Sequence, residues 1–466
     1  MRDPHHEDAR ALGSLPALAL VAGSMLGIGI FIAPPVVAAQ LDHPGTFLAM
    51  WIVGGLSALF GALAVAELGA MMPRAGGDYP YLRLAYGPGT AFGVGWLQLL
   101  AIFPGSLATM AVGTASFQLP VVLGPYYELP AQLGLSPMMF WAFAIIIGLT
   151  ALNHVGVAVS GRAQVVLTGI PVLVLLAASV GVLVTQGTEG GAWATSSTTA
   201  MHAPGIEAAA MAFLPVYFAY SGWNAAIFVG GEIRNPSRNL PRALVGGTLG
   251  VTALYFILCV GFLDVFPMSD LANVGEVGTA AAGTLFGRIG ELGVTLLILL
   301  AMLGSINGTV LTGSRIAYSM ARHGHCPGSA GRLHSRFRTP VVGLWMQAAV
   351  AMVLVLMQKF EQLMNYTSAA MLITGTLTVM AVVILRRKMP DTKRPYRAWG
   401  YPFTPVLYAL SSLVVLAVLA HNLDPSLALA AIWFVGAIVV HHLFLRRRSP
   451  AQSIAATMAS SGATDG

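Results

Sequence analysis

Charge is scarce in this chain: only 9% of its 466 residues are Asp, Glu, Lys or Arg, against about 25% in an ordinary soluble domain. With 56% hydrophobic residues, that deficit excludes a soluble globular body, because a surface so poor in charge needs lipid around it. Long polar stretches are missing as well, so no soluble domain fits between the apolar runs that recur from residue 15 to residue 445. Cysteine is nearly absent. Cys259 falls inside an apolar run and Cys326 in a basic loop, so the two lie at different depths and no disulfide framework is expected. Metal-ligand clusters, a phosphate loop of Walker spacing and a nucleophile elbow are also lacking, so the chain is not expected to be an enzyme or to carry a cofactor or metal. The formal charge of +6 does not point to nucleic acid, since the basic residues are scattered over many loops.

Crossing a bilayer of about 30 Å takes roughly 20 helical residues. Apolar runs between Gly, Pro and charged punctuation predict an all-α integral membrane protein of twelve transmembrane helices, near 15–39, 45–71, 89–117, 137–157, 163–185, 206–230, 242–263, 289–318, 340–358, 364–385, 403–421 and 427–445. With the N-terminus inside, 22 of the 24 Lys and Arg residues fall in inside segments and only Arg288 and Lys359 outside. The positive-inside rule turns that asymmetry into an orientation with both termini cytoplasmic. The polar start, where Asp3, Glu7 and Asp8 offset Arg2 and Arg10, argues against a cleaved signal peptide. Residues 1–14 then form a cytoplasmic segment, 15–445 the membrane body, and 446–466 a polar, disordered cytoplasmic tail whose Arg446–Arg448 touches anionic lipid.

Two of the predicted spans are interrupted. The first holds Gly23-Ser24-Met25-Leu26-Gly27-Ile28-Gly29-Ile30-Phe31 followed by Pro34-Pro35, and glycine costs about 1 kcal/mol and proline about 3 in a helix interior. An unwound segment with a second half-helix from near Ile30 is expected. The sixth span repeats the feature, with Pro215 ahead of Phe218-Ala219-Tyr220-Ser221-Gly222-Trp223-Asn224. Five helices separate the breaks, as an inverted repeat of helices 1–5 onto 6–10 requires, with repeats at about 15–185 and 206–385 and extra helices at about 403–445. Corresponding broken spans point to a transporter's midplane site. Amides freed at a half-helix start suit a carboxylate, and carbonyls freed at a half-helix end suit an ammonium, so the pair fits a zwitterion. The plainer account is glycine used for close helix packing. Two breaks in matching positions, each with proline nearby, favour the binding-site account.

At these residues the chain resembles the amino acid–polyamine–organocation superfamily, and within it the L-type amino acid transporter and serine/threonine exchanger group. The resemblance spans nearly the whole chain and is carried by GSMLGIGIF at 23–31, AELGAMMPRAGGDYPYL at 66–82, FAYSGWNAAIFVGGEIRNPSRNLPRAL at 218–244 and GSINGTVLTGSRIAYSMARHG at 304–324. It implies the five-plus-five inverted-repeat fold with broken helices 1 and 6, and amino acid exchange or proton-linked uptake by alternating access. By position, it implies that Ser24, Met25, Gly27, Ile28 and Gly29 offer backbone groups to the substrate, and Phe218 and Ser221 carbonyls to its amine, with the Phe218 ring as a gate. A Phe packed in a helix interface is the alternative. Many relatives carry a lysine in helix 5 where this chain has Pro171, and residues 163–185 hold no ionisable side chain. Helix 8 offers Ser305, Asn307 and Thr309, but they do not align with the hydroxyl pair of a sodium site, so exchange without an ion ranks first, ahead of proton coupling. Relatives that join a heavy subunit do so through a cysteine after helix 3; residues 118–136 contain none, so no disulfide-linked partner is expected.

Residues 23–31 and 218–225 are entirely neutral, which favours a small neutral amino acid over a charged substrate. Trp223 and Asn224 are candidates to shape the pocket, with packing as the other account of Trp223. Glu67 and His154 are candidate proton sites; against them stand pairing of Glu67 with a basic loop residue and a hydrogen-bonded helix end for His154. Asp78, Glu232, Arg234 and Arg238 read as cytoplasmic loop charges, either a gate network or solvated groups. A channel would offer a continuous polar lining and an embedded enzyme clustered catalytic groups; neither pattern is present. A non-transporting amino acid sensor would use the same residues. The expected location is the inner (plasma) membrane.

Overall fold

The computed structural model describes residues 12–73, 76–184, 203–356 and 360–445. The N-terminal segment to residue 11, the tail from 446, Arg74 and Lys359 lie outside the described residues. A single segment in lipid satisfies its own amides and carbonyls only as a helix, and among the described residues the backbone is helical throughout, save loops and an isolated parallel bridge between Leu12 and Ile233. The helices are α1 (Ser14–Met25), α2 (Gly29–Ala38), α3 (Pro44–Met71), α4 (Tyr79–Tyr86), α5 (Pro88–Leu97), α6 (Phe103–Gly113), α7 (Leu119–Leu123), α8 (Pro137–His154) and α9 (Val157–Val184). They continue with α10 (Ile206–Ala219), α11 (Ala225–Phe228), α12 (Pro236–Val265), α13 (Met268–Leu271), α14 (Val277–Arg322), α15 (Val341–Val355), α16 (Phe360–Lys388), α17 (Phe403–His421) and α18 (Pro425–Val440). Among the described residues ten stretches are long and apolar enough to cross a membrane, and Ile206–Ala219 and Val341–Val355 are shorter apolar helices.

Two of the helix starts that depart from the apolar runs have a local cause. Helix α12 begins at Pro236 rather than near 242, because Asn235 in the left-handed conformation (φ 45°) sets up a proline at the first helical position. Helix α14 begins at Val277 rather than near 289: Glu276 accepts from the amides of Gly278 (2.6 Å) and Thr279 (3.1 Å), capping a Gly/Thr/Ala stretch that reads as loop. A turn at Gly287 (φ 63°) kinks it. Helices α5, α6 and α7 form one rod interrupted by π turns at Gln98–Ile102 and Thr114–Gln118, and such turns frequently mark functional sites.

Burial separates centre from rim. The most apolar windows of Ser14–Ala38 and Pro88–Leu133 are 78% and 83% buried inside the protein, whereas that of Pro425–Leu445 is 17% buried. The broken first helix is therefore surrounded by protein, and the last helix turns Ile432, Leu443 and Phe444 outward. Helix α1 packs against α9, α12 and α14, α2 against α10, and α3 against α12 and α17.

Candidate functional site

Both expected breaks are present. Helix α1 ends with the Leu26 amide on the Ala22 carbonyl (2.8 Å), a tight turn brings the Gly27 amide to the Met25 carbonyl (2.8 Å), and α2 restarts with Phe31 and Ile32 donating to Ile28. The amides that open α2 have no preceding turn to accept from them. Helix α10 ends similarly: Tyr220 donates to Val216 (3.0 Å) and Ser221 to Phe218 (2.9 Å) before Gly222 turns at φ 97° and α11 begins. The breaks touch at two glycines. A Cβ on Gly29 would stand 2.5 Å from the Ala219 Cα, and one on Gly222 would stand 2.7 Å from the Ser24 carbonyl. One side chain joins the carbonyl ends of both half-helices: the buried Tyr255 hydroxyl of α12 lies 2.5 Å from the Met25 oxygen and 3.1 Å from that of Ala219.

A cavity of about 90 Å³ opens at this junction, several times the roughly 10–15 Å³ that one water occupies on the same measure. Ser24, Met25, Gly27, Ile28, Gly29, Phe218, Ser221, Trp223 and Asn224 all line it, so the structure brings together on one wall every backbone and pocket candidate from the two breaks. The Ser24 hydroxyl is buried without a partner. The Phe218 ring is 5% exposed, and Trp223 meets Tyr408 edge-on at 5.8 Å.

Most of the facing wall escaped the sequence reading. It comes from the π-interrupted rod (Gln98, Phe103, Ser106, Met110), from α14 (Ser305, Thr309) and from α16 (Thr374, Gly375). Ser305 and Thr309 are two of the helix 8 groups weighed for sodium; the others read as ordinary span interior, where only the polar spacing Gln98-Ser106 within an apolar run carried a signal. One lining residue corrects an expectation. Asp78, read as a loop charge, is 1% exposed and lines the cavity, so the site is not free of charge. The loop after α3 folds inward because Gly76 and Gly77 both take positive φ and sit against Ser319 and Phe228. Glu232, grouped above with Asp78, instead accepts from Arg315 of α14 (3.2 Å), which is 2% exposed.

Glu67 and His154 stand outside the cavity lining. Glu67 is 2% exposed, accepts from Arg386 (2.9 and 2.6 Å) and the Ala398 amide (2.7 Å), and forms an ion pair with Arg394 (3.2 Å). The His154 Nδ1 accepts from the Trp345 indole (3.2 Å). Helix α9, without charge beyond Arg162, contributes amides and hydroxyls instead. Asn307 of α14 receives from Asn153 (2.9 Å), donates to Gln164 (2.8 Å), and Gln164 donates to Thr168 (3.0 Å), a buried neutral network behind α1. Among the described residues no cluster of potential metal ligands is found.

The amino acid permease model matches residues 12–441. The serine/threonine exchanger SteT of Bacillus subtilis is 31% identical over 418 residues, covering 88% of this chain and 92% of the relative. The Asc-type amino acid transporter 1 of Mus musculus is 30% identical, covering 86% and 74%. The b(0,+)-type amino acid transporter 1 of Homo sapiens is 28% identical, covering 94% and 88%.

Proposed function

The chain belongs to the amino acid permease family, transporters rather than enzymes, and on that premise we propose that it exchanges neutral L-amino acids across the membrane by alternating access. The observation that carries this reading is the meeting of two broken helices at one cavity, with Gly29 on Ala219 and Gly222 on Ser24. The amides opening α2 supply partial positive charge for a carboxylate, and the carbonyl end of α10 partial negative charge for an ammonium. Met25, Ile28, Met110, Phe218 and Trp223 surround the remaining space and suit an uncharged side chain. The name of the serine/threonine exchanger relative points the same way.

In this reading the twelve apolar helices form the five-plus-five inverted repeat with two extra helices, both termini are cytoplasmic, and the surrounding medium is the lipid of the inner (plasma) membrane. The chain works without a disulfide-linked heavy subunit. The neutral network at Asn153, Asn307, Gln164 and Thr168 supports exchange ahead of lysine-mediated coupling.

The test is uptake of labelled alanine, serine, leucine, methionine and arginine into liposomes, with and without internal amino acid. Uptake of a neutral amino acid that requires internal substrate is the expected result. Uptake driven by a proton gradient into empty liposomes would replace exchange with proton coupling, and binding without flux would make the protein a sensor. Phe218→Ala removes an apolar face worth about 1.5–3 kcal/mol, so apparent KM rises about tenfold or more.

A further inference from the structure

The charged residue in the cavity has no role in the reading above. Asp78 precedes α4, outside the spanning helices, and its carboxylate is 1% exposed. Its hydrogen-bond donors are neutral: Gln98 Nε2 lies 2.8 Å from Oδ1 and 2.9 Å from Oδ2, and the Thr378 hydroxyl 2.7 Å from Oδ2. The π turn at Gln98–Ile102 presents both Gln98 and Ile102 to the cavity. From Met110, beside Gly27, the lining continues along this rod to Gln98, about 18 Å at 1.5 Å per residue. Asp78 thus closes the end of the cavity away from the helix breaks, on the side of the basic α3–α4 loop.

We propose that Asp78 is the proton-binding site of this transporter, a carboxylate at the inner end of the substrate cavity that gains and loses a proton through the cavity's own water. Ionised, it attracts the ammonium of an amino acid passing between the helix breaks and the cytoplasmic face; protonated, it does not. The proton comes from a hydronium of the cavity, adds to Oδ1, and returns to water on release. Gln98 accommodates both states. Its Oε1 is buried without a partner, and turning the amide over brings that oxygen to the new carboxyl O–H, exchanging a donor for an acceptor.

The surroundings of Asp78 favour titration there. Burial pushes the Asp78 carboxyl up from the ordinary carboxylate range, against smaller lowering by hydrogen bonds from Thr378, Gln98 and the backbone. On α4 itself, Tyr79 bonds His325, and Arg83 lies in the last turn. From α16, Lys388 donates to the Ala85 carbonyl and Arg386 pairs with Glu67; from α14, Arg315 pairs with Glu232. Residues 88–102 bring no titratable group. Among the described residues none of these cations pairs with Asp78.

The consequence for flux rests on the exchange reading; the proton site itself does not. Infrared difference spectra of the purified protein between neutral and acid pH are expected to show the carbonyl band of a buried carboxylic acid, absent in Asp78→Asn. In vesicles with the cytoplasmic face outward, acidifying the bath slows wild-type exchange several-fold, while Asp78→Asn runs at the acid rate throughout. Thr378→Val removes a donor that favours the ionised form and moves the wild-type titration to higher pH; it decides the question should Asp78→Asn not fold. An infrared band or pH profile that survives Asp78→Asn, or an unmoved titration in Thr378→Val, overturns the proposal. A band that vanishes in Asp78→Asn without flux of any amino acid tested confirms the proton site and fails the exchange reading alone.

Discussion

Replacing Glu67 with Gln separates a structural ion cluster from a proton carrier. Glu67 is 2% exposed and Arg394 6% exposed, so both charges are removed from water and held by each other, with Arg386 at 22% exposure as second partner. Gln keeps the volume but presents an NH₂ where Arg386 and the Ala398 amide now donate at 2.6 and 2.7 Å. Removing one partner of a buried pair costs about 3–5 kcal/mol; the partial exposure of Arg386 places this case near about 3 kcal/mol, on the order of a hundredfold in the folded equilibrium. Equilibrium unfolding in mixed detergent micelles should show that loss in Glu67→Gln. Adding Arg394→Gln should recover part of it by removing the orphaned charge. Stability within about 0.5 kcal/mol of wild type, together with a flattened pH dependence of transport, would refute the cluster argument and make Glu67 a proton site.

Two further outcomes follow from the packing and the orientation. Gly29→Ala places a methyl 2.5 Å from the Ala219 Cα; the overpacking costs about 1–3 kcal/mol at the junction of the breaks, so exchange falls about tenfold or more with the protein still folded. Gly436→Ala, with nothing within 4 Å, is the control, and equal transport in the two variants would refute the close contact. Cys326 is partly exposed and Cys259 buried, so an impermeant maleimide should label wild type but not Cys326→Ser, and only in vesicles with the cytoplasmic face outward. Labelling from the opposite face would invert the assigned orientation.

The breaks were legible because their cause is local. Glycine and proline withdraw helix propensity at the residues that unwind, and the matching interval between 23–31 and 218–224 marks them as one feature. The apolar runs were legible for the same reason, since lipid leaves a helix as the only way for one segment to satisfy its backbone. Helix ends at Pro236 and Glu276 were not, because a cap and a left-handed residue, rather than hydropathy, start those helices.

The partners of buried charge were decided in three dimensions. Glu67 meets Arg386 and Arg394 over 300 residues away in the chain, and Asp78 meets Thr378 across a similar interval; no spacing rule connects them. Sequence alone determined that this chain lives in lipid and that two of its helices break, because composition and propensity act residue by residue. Only the tertiary structure decided that the breaks share one cavity, that Tyr255 joins their carbonyl ends, and that a carboxylate from a loop closes the far end, because those facts depend on which helix faces which.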